Sequence, residues 1–321
     1  MYPTISDLLY DLFGFNIPLP FQTFGFFVAI AFVAATYLLK KELKRKELAG
    51  QLLPQKEFPS ARHWFFASRT GRTVNQGKLV WPHERVDTML VIAAIGGLAG
   101  AKLFDGLENW NSYMTHPENF IAFSGLTFYG GLIVATTGIM IYAHRKMINQ
   151  WQLADSAAPA LMIGYAIGRI GCHMSGDGDW GIENPDSKPF HGLPDWLWSY
   201  TYPHNISDQG ILIPGCEGKR CFVLPHPVYP IAFYEFMICA LLFFVLWIIR
   251  KKIKTAGWLF GIYVVMNGVE RFLVEMIRVN NKYQFGSLRF TQAELISLTL
   301  FLTGTAILIL RSKRVTGEIK Y

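Results

Sequence analysis

Ionisable side chains stand in this chain where its apolar runs should have none. The segment ERFLVEMIR carries Glu270, Arg271, Glu275 and Arg278 at the end of an apolar run. Arg271 and Glu275 are related as i,i+4, and Glu275 and Arg278 as i,i+3, so one helical face holds all three. Arg169 and Glu235 lie in two further apolar runs, and Lys102 and Asp105 close another. A charge inside a bilayer costs at least about 2.5 kcal/mol, so such groups are paired or functional. Two arginines at one depth can take a phosphate, because guanidinium groups bind its oxygens bidentately. Arg271 and Glu275 could also simply neutralise each other, but Arg169 has no such partner on its own helix.

Arg169 leads into GRIGCHMSGDGDWG, residues 168–181. Gly176, Gly178 and Gly181 open an irregular loop whose backbone N–H groups are expected to face a ligand. Asp177 and Asp179 read as turn formers. DGDWGIE looks superficially like a calcium loop, but its ligand spacing fails. His173 has a side chain suited to proton transfer near neutral pH. It is otherwise a loop histidine bonded to backbone. There is no phosphate loop, no G-x-S-x-G, no HExxH and no paired CxxC. No metal ligand set is visible, and no cofactor is implied.

The elements that must position these groups follow from composition. The chain has 321 residues, 51% hydrophobic and 17% charged, against about 25% charged in a soluble domain. Mean hydropathy is +0.25. These values exclude disordered, collagen-like and disulfide-scaffold classes. Seven stretches approach the about 20 residues needed to cross a bilayer, at 21–39, 86–104, 121–143, 154–172, 228–249, 257–275 and 292–310. No ten-residue β period is present, so a helical bundle is expected rather than a barrel.

Charge orients the spans. The loop from Lys40 to Arg85 holds 11 basic residues, and that around 105–120 holds none. Arg145 and Lys146, the run from Arg250 to Lys254 and the tail continue the alternation. The predicted fold is therefore an all-α polytopic membrane protein of seven spans, N-terminus out and C-terminus in. Residues 1–20 read as an interfacial arm, 21–310 as the membrane domain, 173–227 as a small periplasmic head, and 311–321 as a cytoplasmic tail. The arm lacks the basic n-region of a signal peptide. In the head, Cys216 and Cys221 could form a disulfide if the outside is oxidising, and Trp180, Trp196 and Trp198 offer a contact surface. The net charge of +7 is thus assigned to topology. Nucleic-acid binding is not expected, because no single basic face with aromatic readers exists. Gly96 with Gly100, and Gly164 with Gly168, have the four-residue spacing that lets helices approach closely.

In these residues the chain resembles the phosphatidylglycerol–prolipoprotein diacylglyceryl transferase family of bacterial inner membranes. GRIGCHMSGDGDWG resembles the family's G-R-[LI]-G-[NC] signature, and RFLVE with Arg278 its F-R-x-x-V-E-x-x-R block. GLTFYGGL at 125–132 resembles S-F-H-G-G, and YPIAFYE at 229–235 resembles Y-P-x-Q-L-Y-E. Asp155 and Pro159 fit the D-x-x-A-P lead into the fourth span. The chain departs from the pattern at Tyr129 for His, Ala232 for Gln, Phe24 for Tyr, Lys102 for Arg and Cys172 for Asn.

The resemblance implies transfer of a diacylglyceryl group from phosphatidylglycerol to the lipobox cysteine of a prolipoprotein, with glycerol 1-phosphate leaving. It implies catalytic roles for Arg169, Arg271 and Glu275. The proton acceptor stays open between Tyr129 and His173. Cys172, Gly176, Gly181, Tyr234, Glu235, Arg278, Lys102 and Asp155 are the expected substrate-binding residues. The expected partners are phosphatidylglycerol, lipobox peptides and the bilayer itself. Two other readings remain: a non-catalytic relative that binds lipid or lipoprotein, and an anion transporter. A transport path would need polar groups through the inner half as well.

Overall fold

A computed structural model describes residues 1–14, 21–57, 77–116, 127–189, 191–217, 219–279, 282–285 and 288–318. Pro18 and Pro20 of the arm, the first six residues of the third expected span and the last three of the tail lie outside them. The helices are α1 (Ile5–Phe13), α2 (Thr23–Leu48), α3 (Val86–Glu108), α4 (Trp110–Thr115), α5 (Phe128–Arg145), α6 (Gln150–Ser175), α7 (Asp195–Trp198), α8 (Ile231–Ile249), α9 (Trp258–Glu275) and α10 (Gln292–Glu318). Six short strands pair as three antiparallel hairpins: β1 (Gln55–Glu57) with β2 (Lys78–Val80), β3 (Ile211–Leu212) with β4 (Phe222–Val223), and β5 (Lys282–Phe285) with β6 (Leu288–Thr291). Among the described residues there is no barrel.

A long helix occupies each apolar stretch read from the sequence. Four helices are long and apolar enough to cross a membrane by length and composition: Thr23–Leu48, Pro82–Glu108, Ile231–Ile249 and Gln292–Ser312. The last turns of α9 carry Glu270, Arg271 and Glu275, and α6 has Pro159 inside it. These two helices trade apolarity for chemistry.

The chain divides into two compact units, residues 36–156 and residues 1–35 with 157–321. In the first, α3 and α5 cross on glycine. A Cβ on Gly100 would lie 2.4 Å from the Gly130 carbonyl oxygen, and one on Gly131 2.8 Å from that of Gly97. Only glycine allows backbones this close. Leu43, Val86, Met89, Ala143 and Leu153 fill the core of this unit. Several of its basic residues are ion-paired. Arg45 meets Glu42 at 2.6 Å, Lys46 meets Asp155 at 3.8 Å, and Arg85 and Lys146 both meet Glu57. Hydrogen bonds from Lys146 and Arg85 hold the Glu57 carboxyl below its usual value.

In the other unit, α9 and α10 also meet on glycine, Gly268 against the backbone of Phe301 and Ser297. Gly171 of α6 packs against Phe27 of α2, where a Cβ would come within 2.8 Å of the phenylalanine Cβ. Close approach on α6 therefore centres on Gly171, since a Cβ on Gly168 would meet nothing within 4 Å. The arm is tied down by Tyr2 N–H to Met174 O at 2.9 Å and Ile5 N–H to Phe21 O at 3.0 Å. Thr4 and Asp7 form a capping box at the start of α1.

The segment between α6 and α8 is mostly irregular, and buried asparagines supply the hydrogen bonds that a ladder would. Asn205 donates to the Tyr202, Gln209 and Phe222 carbonyls and accepts from Gln209 N–H. Cys216 and Cys221 form a disulfide that closes the β3–β4 hairpin. Replacing either cysteine by serine should cost about 2 kcal/mol, the loop-closure value for so short a ring. Thermal unfolding with and without reductant measures it, and equal stability in the two conditions would contradict it.

Candidate active site

The residues singled out from the sequence divide between the two units. Arg169, Cys172, His173, Gly176, Gly181, Tyr234, Glu235, Arg271, Glu275 and Arg278 belong to one; Lys102, Tyr129 and Asp155 belong to the other.

In the first group the last turns of α6 and α9 and the first turn of α8 converge. Their common centre is Glu235, whose side chain is fully buried. Arg169 Nε lies 2.8 Å from Glu235 Oε2, an ion-pair contact without hydrogen-bond alignment. Arg271 Nη1 donates to Glu235 Oε1 at 3.3 Å, and so does the Tyr165 hydroxyl at 3.3 Å. Arg271 Nη2 reaches Glu275 Oε2 at 3.6 Å on the next turn. The Arg169 guanidinium also sits 5.2 Å from the Tyr165 ring centre, a cation–π contact that fixes its plane.

A second bridge comes from Asp179. One of its oxygens accepts from Arg169 and the other from Arg278. By local pattern Asp179 is a turn former and Arg169 has no partner on its own helix. The fold supplies two partners from elsewhere. Asp179 is delivered by its neighbour Gly181, which pairs with Arg278 in a β-bridge. A Cβ on Gly181 would lie 2.8 Å from both Ile231 Cδ1 and the Ile277 carbonyl oxygen. The signal available beforehand was an aspartate following a glycine-rich turn after a buried arginine.

The loop glycines act through conformation and space. Gly176 has φ +64° and donates its N–H to Cys172 O at 3.0 Å, and Gly181 donates to Tyr229 O at 2.9 Å. Two of the three glycine N–H groups expected to face a ligand, those of Gly176 and Gly181, are thus used within the chain. Asp177 accepts from Asp179 N–H at 3.2 Å, as a turn former does. Burial pushes its carboxyl above the usual range. Cys172, Asp177 and Asp179 bring possible metal-ligand atoms within 4.8 Å of one another. Both Asp179 oxygens are engaged by arginines, so the trio is not a free ligand set.

His173 is 4% exposed and enclosed by rings. Its Nδ1 lies 3.1 Å from the Tyr202 hydroxyl, and Trp196, Tyr200 and Phe233 surround it. Trp180 packs on Tyr202 and Trp198 on Tyr229, so these tryptophans build the segment as well as face outward. Tyr234 donates its hydroxyl to Leu197 O at 2.9 Å.

In the other unit Tyr129 stands in the first turn of α5, 41% exposed, with its ring edge-on to Phe128. The Lys102 ammonium lies 5.3 Å from the Tyr113 ring centre. Asp155 is buried beside Lys46, whose ammonium also donates to Gln152 Oε1 at 2.7 Å.

Three guanidiniums thus converge with three carboxylates, and the arginine side chains keep 15%, 20% and 17% of their surface accessible, in the order 169, 271, 278. They are pre-oriented, and an anion can still reach them. Such an array stabilises charge developing on a phosphate oxygen without reorganising at the moment of reaction.

The prolipoprotein diacylglyceryl transferase family model matches residues 12–310. Proteins named phosphatidylglycerol–prolipoprotein diacylglyceryl transferase are similar along most of the chain. That of Dehalococcoides mccartyi is 29% identical over 74% of this chain and 82% of its own length. That of Leptospira interrogans is 29% identical over 81% and 72%. That of Geobacter sulfurreducens is 25% identical over 93% and 94%.

Proposed function

The chain belongs to the prolipoprotein diacylglyceryl transferase family, and we propose that its converging arginines form the phosphate site of that reaction. The enzyme moves a diacylglyceryl group from phosphatidylglycerol to a prolipoprotein, the first step of lipoprotein lipidation. The acceptor is the lipobox cysteine thiol, and glycerol 1-phosphate leaves. The thiolate attacks the glyceryl carbon; a C–S bond forms, and the C–O bond to phosphate breaks. Negative charge grows on the departing oxygen. Arg169 and Arg271 meet it, held by Glu235, with Glu275 steadying Arg271 and Asp179 joining Arg169 to Arg278. The observation that carries this reading is the convergence of three partly accessible arginines on buried carboxylates.

The reading includes a multi-pass enzyme of the bacterial inner membrane. Seven spans place the N-terminus and the segment 173–227 outside. The loop-by-loop distribution of Lys and Arg supports this orientation. The Cys216–Cys221 disulfide supports an oxidising compartment for that segment. A lipobox peptide then approaches from the side where the arginines lie.

His173 is the proton acceptor in this reading. A free thiol ionises near pH 8.5, so a base matters most below that. His173→Ala should lower turnover about 100-fold near neutral pH, with the deficit shrinking as pH rises toward the thiol's own ionisation. Tyr129→Phe should cost less and show no such pH trend. A rate unchanged in both variants would remove both residues from the mechanism.

The activity is tested with the purified full chain, phosphatidylglycerol and a lipobox peptide. Mass spectrometry should find the diacylglyceryl adduct on the cysteine. Lipid binding without any adduct would instead favour a non-catalytic lipid-binding relative.

A further inference from the structure

Strained backbone gathers in a segment that contributes no group to the phosphate site. Five non-glycine residues among those described have positive φ, and four of them stand between α6 and α8: Tyr202 at +46°, His204 at +59°, Asp208 at +51° and Arg220 at +66°. Residues other than glycine seldom adopt this region, and they persist there only where their surroundings over-determine them. Here hydrogen bonds do so. Asn205 is fully buried, and its amide holds the carbonyls of Tyr202, Gln209 and Phe222. A single nitrogen of Arg220, Nη1, donates both to Ile206 O and, at 2.6 Å, to Asp208 Oδ2. Arg220 itself lies inside the ring that Cys216 and Cys221 close.

These bonds shape residues 205–207, which press against the turn that delivers Asp179. Ile206 N–H donates to Ser175 O at 3.2 Å and to Gly176 O at 3.1 Å, and the Ser207 hydroxyl donates to Gly176 O at 3.2 Å. The two stretches have little slack between them. A Cβ on Gly176 would lie 3.0 Å from Asn205 Cβ, and one on Gly178 would lie 3.2 Å from Ser207 Oγ. Beyond the turn, Ile182 N–H donates to Ile277 O at 3.0 Å. Asp179 sits between these two clamps, with one oxygen on Arg169 and the other on Arg278. A displacement of 205–207 is therefore passed to the carboxylate that holds two of the three guanidiniums.

We propose that Arg220 is a positioning residue for diacylglyceryl transfer. It holds residues 205–207 as a template, the template seats the turn at 176–179, and the turn sets Asp179 and with it the direction of Arg169 and Arg278. Arg220 touches no reacting atom. Its ion pair with Asp208 is partly open to solvent and adds little to global stability, so its effect is on geometry. The proposal rests on the phosphate-site reading.

The test combines steady-state transfer from phosphatidylglycerol to a lipobox peptide with hydrogen exchange of the same detergent-solubilised full chains, read by mass spectrometry. Arg220→Ala should lower kcat at least about tenfold, since misplacing a catalytic donor by about 1 Å is enough for that. KM for phosphatidylglycerol should stay within about twofold, because the three arginines remain to bind the headgroup. Amides at 176–182 should exchange faster together with those at 205–208. Arg220→Lys keeps an ammonium that can serve both acceptors from one nitrogen, and should recover most of the rate and the protection. Ser207→Ala removes a bond to the turn without touching Arg220, and should show the same pattern more weakly. A merely structural role would lower the unfolding temperature and speed exchange at 205–208 alone, with kcat kept wherever the protein is folded. The proposal is overturned by that result, by a fall in kcat with 176–182 still protected, or by a loss wholly in KM. Arg169→Ala measured alongside separates the two readings. Wild-type turnover in that variant overturns the phosphate site and this proposal with it, whereas its loss beside an unaffected Arg220→Ala overturns this proposal alone.

Discussion

Arg169→Ala should reduce diacylglyceryl transfer at least about 100-fold in kcat, the loss expected when one pre-oriented donor to a developing oxyanion is removed. Arg169 joins the two bridges of the cluster, meeting Asp179 on one side and Glu235 on the other. Its loss removes a phosphate donor and also leaves Glu235 to Arg271 alone and Asp179 to Arg278 alone, so less of their charge is offset. Arg169→Lys should recover little. One ammonium on a flexible stem cannot span both carboxylates or keep the stacking on Tyr165. Adduct formation on a lipobox peptide measures the rate, and an unfolding curve matching wild type shows that the loss is chemical. Turnover near the wild-type rate in the alanine variant would sink the anion-site assignment.

Glu235→Ala should be the most damaging single change to stability, at about 3–5 kcal/mol, as when one partner of a buried ion pair is deleted. The carboxylate is fully buried and lies between Arg169 and Arg271, so its removal takes away the charge that separates two guanidiniums and leaves each with one carboxylate, Asp179 and Glu275. Truncating Arg271 as well should restore part of the loss, since the repulsion then disappears. A double-mutant cycle in detergent resolves this coupling from simple loss of packing. If Glu235→Ala unfolds at the wild-type temperature, the buried triad contributes no stability and the role given to Glu235 fails.

Much of the molecule was legible in local patterns. Long helices occupy each of the seven apolar stretches, because hydropathy and 3.6-residue periodicity are properties of neighbouring residues. The i,i+4 relation of Arg271 and Glu275 was legible for the same reason, and they do meet at 3.6 Å. Gly96 and Gly100 were recognisable as a close-packing pair, but the glycines they meet were not. Gly130 and Gly131 lie in the block read for its chemistry at Tyr129, and their contribution in the structure is helix packing. The hairpin β5–β6 leaves no mark in the sequence pattern, because four-residue strands carry too little periodicity.

By itself the sequence determined that this is a helical membrane-type chain with arginines where lipid-facing residues should be. Hydropathy and charge order along the chain are enough for that. Only the tertiary structure decided what those arginines face. Asp179 arrives through an irregular turn that Gly181 docks against Ile277, and Glu235 through the first turn of a helix far along the chain. Neither relation has a period. Ion pairs between distant segments depend on how helices pack, and the packing here turns on a few glycine contacts whose partners no local pattern names.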